Sequence, residues 1–471
     1  MLLKSAKFYS LSQIAVALLS FIRNIILARM LSVEDFGIAA TFSLVIALVE
    51  STSAVALDKY IVQARFGYNR RVLATVHMVM VIRGAILSLL LFLVSPLVAR
   101  IFSLEHIAWV YQILAVIPLV AGFKNQGGAV QQKAHNFITL SMSDLLSQVL
   151  GTLALLGLLM KWPDYQAALY VNVLIAVFAV AVSHIFSVSR FSLGLNKTLF
   201  ADVFRFSWPL LLSGILVFIV LQGDRAIVAS FYTVQELAVF TVVFGLLSMP
   251  VMVLNKIFQS IYLPKFAAGL HNPAGDVGAG YRESLSLTLF LAGSALIGFT
   301  LLGNAVIRLL YGDQYTADFE LLFWLSLCMV LRTARTPAST LTLASGNSRI
   351  TLMINITRAF AIVPAIYFGV MNFELVYILY AATVGELLAY TLGSAWAFRY
   401  VNNARDRMIP FYILLFLLCL AVACYFILAL MTSDIQALIY FCGVYMTFLI
   451  PMVFIFRTKL RHLINRGNGD V

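Results

Sequence analysis

The sequence predicts an all-α integral membrane protein of about fourteen transmembrane helices, built as two pseudo-symmetric six-helix lobes with two further helices after them. Three observations predict it. Hydrophobic residues make up 62% of the chain and charged residues only 11%, against about 45–50% and about 25% in soluble domains. Almost the whole sequence divides into apolar runs of roughly 20 residues, the length that crosses a bilayer core as a helix. Finally, a turn near the start returns far along the chain. Ser32-Val33-Glu34-Asp35-Phe36 has its counterpart in Thr233-Val234-Gln235-Glu236-Leu237, 201 residues on, and both open a long apolar run. At that offset Arg23 aligns with Asp224 and Ser12 with Ser213.

The N-lobe, residues 1–189, starts with the run 8–28 behind Lys4 and Lys7. That run is too long for a secretion-signal core and no small-residue cleavage site follows, so it is expected to stay as an anchor. Runs at 37–57, 73–98, 107–123, 138–160 and 167–189 complete the lobe. Residues 190–206 are basic, with Leu195, Leu199, Phe200, Val203 and Phe204 at roughly helical spacing. They predict a short amphipathic helix on the cytoplasmic surface that joins the repeats. The C-lobe, 207–398, holds runs at 208–231, 237–255, 285–307, 321–343, 350–371 and 375–398. The last segment, 399–471, supplies runs at 410–431 and 436–456 and a basic tail. Its helices carry no in-membrane charge, so they are expected to stand outside the working core.

Lys and Arg concentrate in alternate connections, and only Arg29, Arg100, Lys161 and Arg308 fall on the other side. By the positive-inside rule both termini are cytoplasmic. Trp109, Trp162 and Trp324 then sit at outer boundaries and Trp208 and Trp396 at inner ones, where indole rings prefer to lie. The net charge of +12 is on this reading a topology signal and a match to anionic lipid, not a nucleic-acid footprint. Cys328, Cys419, Cys424 and Cys442 all lie in apolar runs without metal-type pairing, as buried thiols do.

Two stretches carry a resemblance. Ile26-Leu27-Ala28-Arg29-Met30-Leu31-Ser32-Val33-Glu34-Asp35-Phe36-Gly37 is similar to the opening "RxLSxxxFG" turn of the MOP flippase superfamily, in its polysaccharide-transporter (Wzx-type) branch. Ser207-Trp208-Pro209 followed by Gly223-Asp224-Arg225 is similar to that family's seventh helix, with its late "D-R". The layout of six, six and two helices extends the likeness over the whole length. The resemblance implies a V-shaped, MATE-like pair of lobes around a central cavity, in the bacterial cytoplasmic (inner) membrane. It implies transport of an undecaprenyl-diphosphate-linked oligosaccharide repeat unit from inner to outer leaflet by alternating access, for O-antigen, capsule or exopolysaccharide synthesis. A polysaccharide polymerase and a chain-length regulator are the protein partners it suggests. No nucleic acid and no cofactor are expected, and the driving force stays open between H⁺, Na⁺ and the membrane potential.

Charges at bilayer depth are expensive and normally face a cavity or a partner. Here they are Arg23, Glu50, Arg83, Asp144, Asp224, Arg225, Arg332, Arg335, Arg358 and Glu386. Every cation is arginine, whose guanidinium is always charged and grips phosphate bidentately. Arg332 and Arg335 share a helix face and precede Pro337, which would bend the helix and free carbonyls. With Arg83 and Arg358 they form the expected substrate-binding set. The bland alternative is that each pairs with an acid or a carbonyl and fixes helix packing. Glu386, Asp144 and Glu50 are candidates for ion coupling, because burial can bring a carboxyl into the working pH range. Glu386 is a lone acid with no basic residue within a turn of its helix. Arg23 and Asp224, equivalent by the repeat, are expected to form an outer gating pair, against the alternative that Asp224 pairs within its own lobe. His184 could titrate, but a lone histidine near a boundary is more often a packing residue.

A MATE-type exporter is the first alternative, disfavoured because such proteins export cations that an arginine-rich cavity repels. A peptidoglycan-precursor (lipid II-type) flippase shares the plan and stays open. The rival of another class is a membrane polymerase or ligase. The connection around 308–320 is too short for its chemistry and carries no nucleophile or metal constellation. No Gly-rich phosphate loop, HExxH or CxxC is present, so the chain reads as a non-enzyme.

Overall fold

A computed structural model describes residues 2–53, 61, 70–133, 136–271, 277–346, 348–401, 403–430 and 439–448. Among them the chain is helical, with ten helices long and apolar enough to cross a membrane. The other four expected spans coincide with the helix Val33–Ser53, the short apolar stretch Glu105–Ala121, the broken pair Phe319–Ala334 and Thr336–Ala344, and Ile439–Phe448. The pattern is consistent with fourteen spans. The end of the second span, parts of the last one and the basic tail lie outside the described residues. The protein is a multi-pass membrane protein.

The chain forms two compact units, Met1–Thr241 and Val242–Val471. Unit 1 contains α1 (Leu2–Met30), α2 (Val33–Ser53), α3 (Arg70–Ile101), α4 (Ala108–Leu114), α5 (Val116–Ala121), α6 (Gly127–Lys133), α7 (Ile138–Lys161), α8 (Tyr165–Ile185) and α9 (Lys197–Phe231). Helix α7 packs on α1 and α8, α2 on α9, and α3 on α4 and α5.

The repeated turn is a helix start in both copies. Helix α2 begins at Val33 and α10 (Val234–Ile257) at Val234, the offset read from the sequence. Ser32 Oγ accepts the Asp35 N–H at 3.0 Å and donates to the Asp35 carboxylate at 2.6 Å. Thr233 Oγ1 accepts the Glu236 N–H at 3.2 Å, while the Thr233 N–H donates to the Glu236 carboxylate at 2.9 Å. Each turn thus satisfies backbone donors that a helix start leaves orphaned. The two starts also touch. A Cβ on Gly37 would overlap the carbonyl oxygen of Val234, so only glycine allows this approach.

The expected separate helix over 190–206 is not a separate element. Residues 187–194 are non-helical and fastened to α3 and the 123–127 turn. Asn125 Nδ2 donates to Ser189 O at 3.0 Å, the Gly194 N–H donates to Ala74 O at 3.3 Å, and His77 stacks on Phe191 at 4.4 Å. Asn196 then caps α9, accepting the N–H groups of Thr198 and Leu199. Helix α9 runs 35 residues without interruption, about 52 Å at ~1.5 Å per residue. No glycine stops it before Gly214, so the amphipathic turns and the seventh span are one rod. His184 hydrogen-bonds Phe123 O at 2.9 Å, the packing role of the bland reading.

Unit 2 contains the rest of α10, a wide helical turn at Phe258–Tyr262, α11 (Leu263–His271), α12 (Val277–Leu310), α13 (Phe319–Ala334), α14 (Thr336–Ala344), α15 (Ser348–Ala359), α16 (Ile362–Val370), α17 (Val376–Ala397), α18 (Ala404–Leu430) and α19 (Ile439–Phe448). Phe258, Tyr262, Phe266 and Tyr281 form its buried aromatic centre. The thirteenth span does not stand apart from this core. Asp406, at the start of α18, is buried and ion-paired with Arg282 of α12, and Tyr390 of α17 donates to Pro410 O at 2.7 Å. Leu417, Ala421 and Cys424 bury a face of α18 in the unit 2 interior.

Candidate functional site: a buried arginine cluster

Two helices of unit 2 are broken beside their arginines. Helix α13 ends at Ala334, and α14 restarts after Arg335 with Pro337 in its first turn. Proline has no N–H to continue the ladder and its ring crowds the carbonyl four residues back, which is why the rod yields here. The second break, at 360–361, separates α15 from α16 just after Arg358 and before Pro364. Both corners bring arginines against the middle of α17.

There they meet Glu386, which is completely buried. Arg332 Nε donates to Glu386 Oε1 at 2.7 Å, and Arg358 Nε reaches the same oxygen at 2.5 Å. Arg335 Nη2 stands 3.6 Å from Oε2, an ionic contact without a hydrogen bond. The side chains of Arg332, Arg335 and Arg358 are 9%, 12% and 6% exposed, so Arg335 is the most accessible. Three guanidiniums thus meet on one carboxylate. Gly385 makes the approach possible: a Cβ there would lie 2.5 Å from Ala361 Cβ and 3.4 Å from Arg358 O. The face of α13 carrying Met329, Val330 and Thr333 borders an apolar cavity of about 390 Å³, so only the arginine face suits an anion.

The structure therefore joins three of the four expected substrate arginines, and joins them to one of the expected coupling acids. Arg83 lies partly buried on α3 of unit 1. The lone-acid reading of Glu386 is corrected: its own helix offers no base, but three arrive from two neighbouring rods.

The remaining two coupling candidates converge in unit 1 on a residue that sequence reasoning passed over. Lys124 Nζ lies 3.4 Å from Asp144 Oδ1, and the same ammonium acts electrostatically on Glu50. Gln13 of α1 donates to the other Asp144 oxygen at 3.1 Å. Nothing local in the sequence marks Lys124, because the turn that carries it shows no sign of folding back against α7. Arg23 donates to Gln148 Oε1 of α7 and contacts Ser20 Oγ. Its partners are these, not Asp224. Arg225 donates to Gln222 Oε1 at 3.2 Å within its own helix.

Comparison with known proteins gives findings of three kinds. Residues 26–319 match the family model described as "Polysaccharide biosynthesis protein". The chain is similar to the teichuronic acid biosynthesis protein TuaB of Bacillus subtilis (strain 168), 22% identical over 74% of this chain and 72% of that one. It is also similar to the lipopolysaccharide biosynthesis protein WzxC of Escherichia coli (strain K12), 21% identical over 78% and 75%. A third relative is the succinoglycan biosynthesis transport protein ExoT of Rhizobium meliloti (strain 1021), 24% identical over 76% and 72%. Among solved structures, the lipid II flippase MurJ in an inward closed conformation shares the fold, with a TM-score of 0.74 over 96% of this chain and 99% of that one at 15% identity.

Proposed function

The chain belongs to the polysaccharide biosynthesis protein family, and from that premise we propose that it is a flippase for lipid-linked oligosaccharide. It carries undecaprenyl-diphosphate-linked repeat units from the inner to the outer leaflet of the bacterial cytoplasmic membrane by alternating access. The relatives' names supply the glycan and transport context. The observation that carries the site is the arginine cluster: three guanidiniums gathered on one buried carboxylate form a group of donors suited to an anion. A diphosphate or an acidic sugar is such an anion, and the planar donors match phosphoryl oxygens.

In this reading Arg335, the most accessible of the three, makes first contact, with Arg332 and Arg358 behind it. Arg83, the fourth expected arginine, is a further candidate contact for the anion. H⁺ or Na⁺ coupling is assigned to the Asp144–Lys124–Glu50 group rather than to Glu386, because those carboxylates share a single ammonium. A gating role for Arg23 and Asp224 requires Arg23 to leave Gln148. The chain acts as a transporter rather than an enzyme, with both termini cytoplasmic and with a polymerase and a chain-length regulator as neighbours. The MurJ-like fold favours one second reading, a lipid II-type flippase.

Surface glycan measured in a strain lacking the chromosomal copy tests the reading. Wild-type chain restores export, and Arg335→Ala, present in the membrane at wild-type level, lowers it at least about tenfold, the cost of one charge-assisted contact. Wild-type export from Arg332→Ala, Arg335→Ala and Arg358→Ala alike would remove the site. Rescue of a strain lacking its lipid II flippase would favour the second reading.

A further inference from the structure

Building on the flippase reading, we propose that Glu386 is an internal stand-in for the substrate's anion, a positioning residue that holds the arginines in binding geometry and yields them to the incoming phosphoryl oxygens. The hydrogen bonding is one-sided. Oε1 takes both close contacts, from Arg332 and Arg358, while Oε2 has no hydrogen bond and faces Arg335 only at 3.6 Å. The Arg335 Nε is buried and also without a hydrogen-bond partner. A donor and an acceptor are thus left unsatisfied side by side, an arrangement that favours exchange of partners over a closed ion-pair network.

Arg335 also sits at the joint between α13 and α14, its N–H donating to Leu331 O and its carbonyl accepting the Ser339 N–H, so the side chain is presented from a fixed point of the backbone. An anion engages Arg335 first, adds Arg332 and Arg358, and displaces a carboxylate that has the same charge and competes for the same donors. When the substrate departs, Glu386 closes on the arginines again. The internal carboxylate therefore weakens binding and speeds release, so that the guanidiniums attract the anion without trapping it. A merely structural Glu386 would not have this effect.

The probe is inorganic pyrophosphate, titrated calorimetrically onto the full chain in lipid nanodiscs. Arg335→Ala should lose at least about tenfold in affinity and Glu386→Gln should gain about tenfold, one ion pair's worth of competition in each direction. In transport assays Glu386→Gln should lower KM and the maximal rate together, because bound substrate leaves slowly. Wild-type or weaker pyrophosphate affinity in Glu386→Gln would overturn the proposal, as would no binding by either protein. If the arginine variants lose binding while Glu386→Gln does not gain it, the flippase site stands and the stand-in falls. Arginine variants that bind and export normally instead defeat the flippase site itself. Should Glu386→Gln fail to fold, the Arg358→Gln, Glu386→Gln pair is compared with Arg358→Gln alone. The pair must bind more tightly, or the proposal is wrong.

Discussion

Glu386 shows what a sequence hides at the scale of one residue. Its helix has no basic neighbour within a turn, and its partners Arg332, Arg335 and Arg358 come from elsewhere in the chain. Their type and depth were legible, because arginine in an apolar run is a local signal. Their meeting point was not, because it depends on two proline-linked breaks and on the missing Cβ of Gly385. Removal of the carboxylate exposes how much rests on it. Glu386→Ala should destabilise unit 2 by about 3–5 kcal/mol, the usual cost of leaving buried charge without its partner. Gly385→Ala, which forces Ala361 away, should cost about 1–3 kcal/mol by overpacking. Thermal unfolding in nanodiscs reads both, and wild-type stability in Glu386→Ala would mean the arginines find another counter-charge.

Among the elements, the repeated turn was fully legible and the inter-repeat linker was not. The caps are local, within four residues, so Ser32 with Asp35 and Thr233 with Glu236 hold the two helix starts that the repeated turn marked. Amphipathic spacing over 190–206 was equally visible, but spacing does not say where a helix ends. Asn196 starts it late and nothing stops it before the seventh span. The thirteenth span was misjudged for a related reason: an all-apolar helix gives no sign of its neighbours, whereas Asp406 and Pro410 at its start tie it to α12 and α17. The contact between the two helix starts yields a prediction at this scale. Gly37→Ala should destabilise unit 1 by about 1–3 kcal/mol, since a backbone carbonyl cannot step aside as a side chain can. Ser32→Ala, which removes a cap alone, should cost only about 1 kcal/mol. Equal effects would show that the close approach contributes nothing.

For the whole molecule, composition and the near-continuous apolar parse were enough to place the chain in the membrane, and the offset turns marked two matching helix starts. The family then connects that architecture to polysaccharide synthesis. What composition could not supply is the cargo, because a flippase recognises it through a few side chains among 471 residues. The decisive measurement is translocation of an undecaprenyl-diphosphate-linked oligosaccharide in proteoliposomes, read as the fraction that becomes accessible to a glycan-cleaving enzyme on the opposite face. Purified wild-type chain should move it, and Arg335→Ala should slow the movement by about tenfold or more with the protein folded and inserted. Equal rates for wild type, Arg335→Ala and empty liposomes would contradict the account.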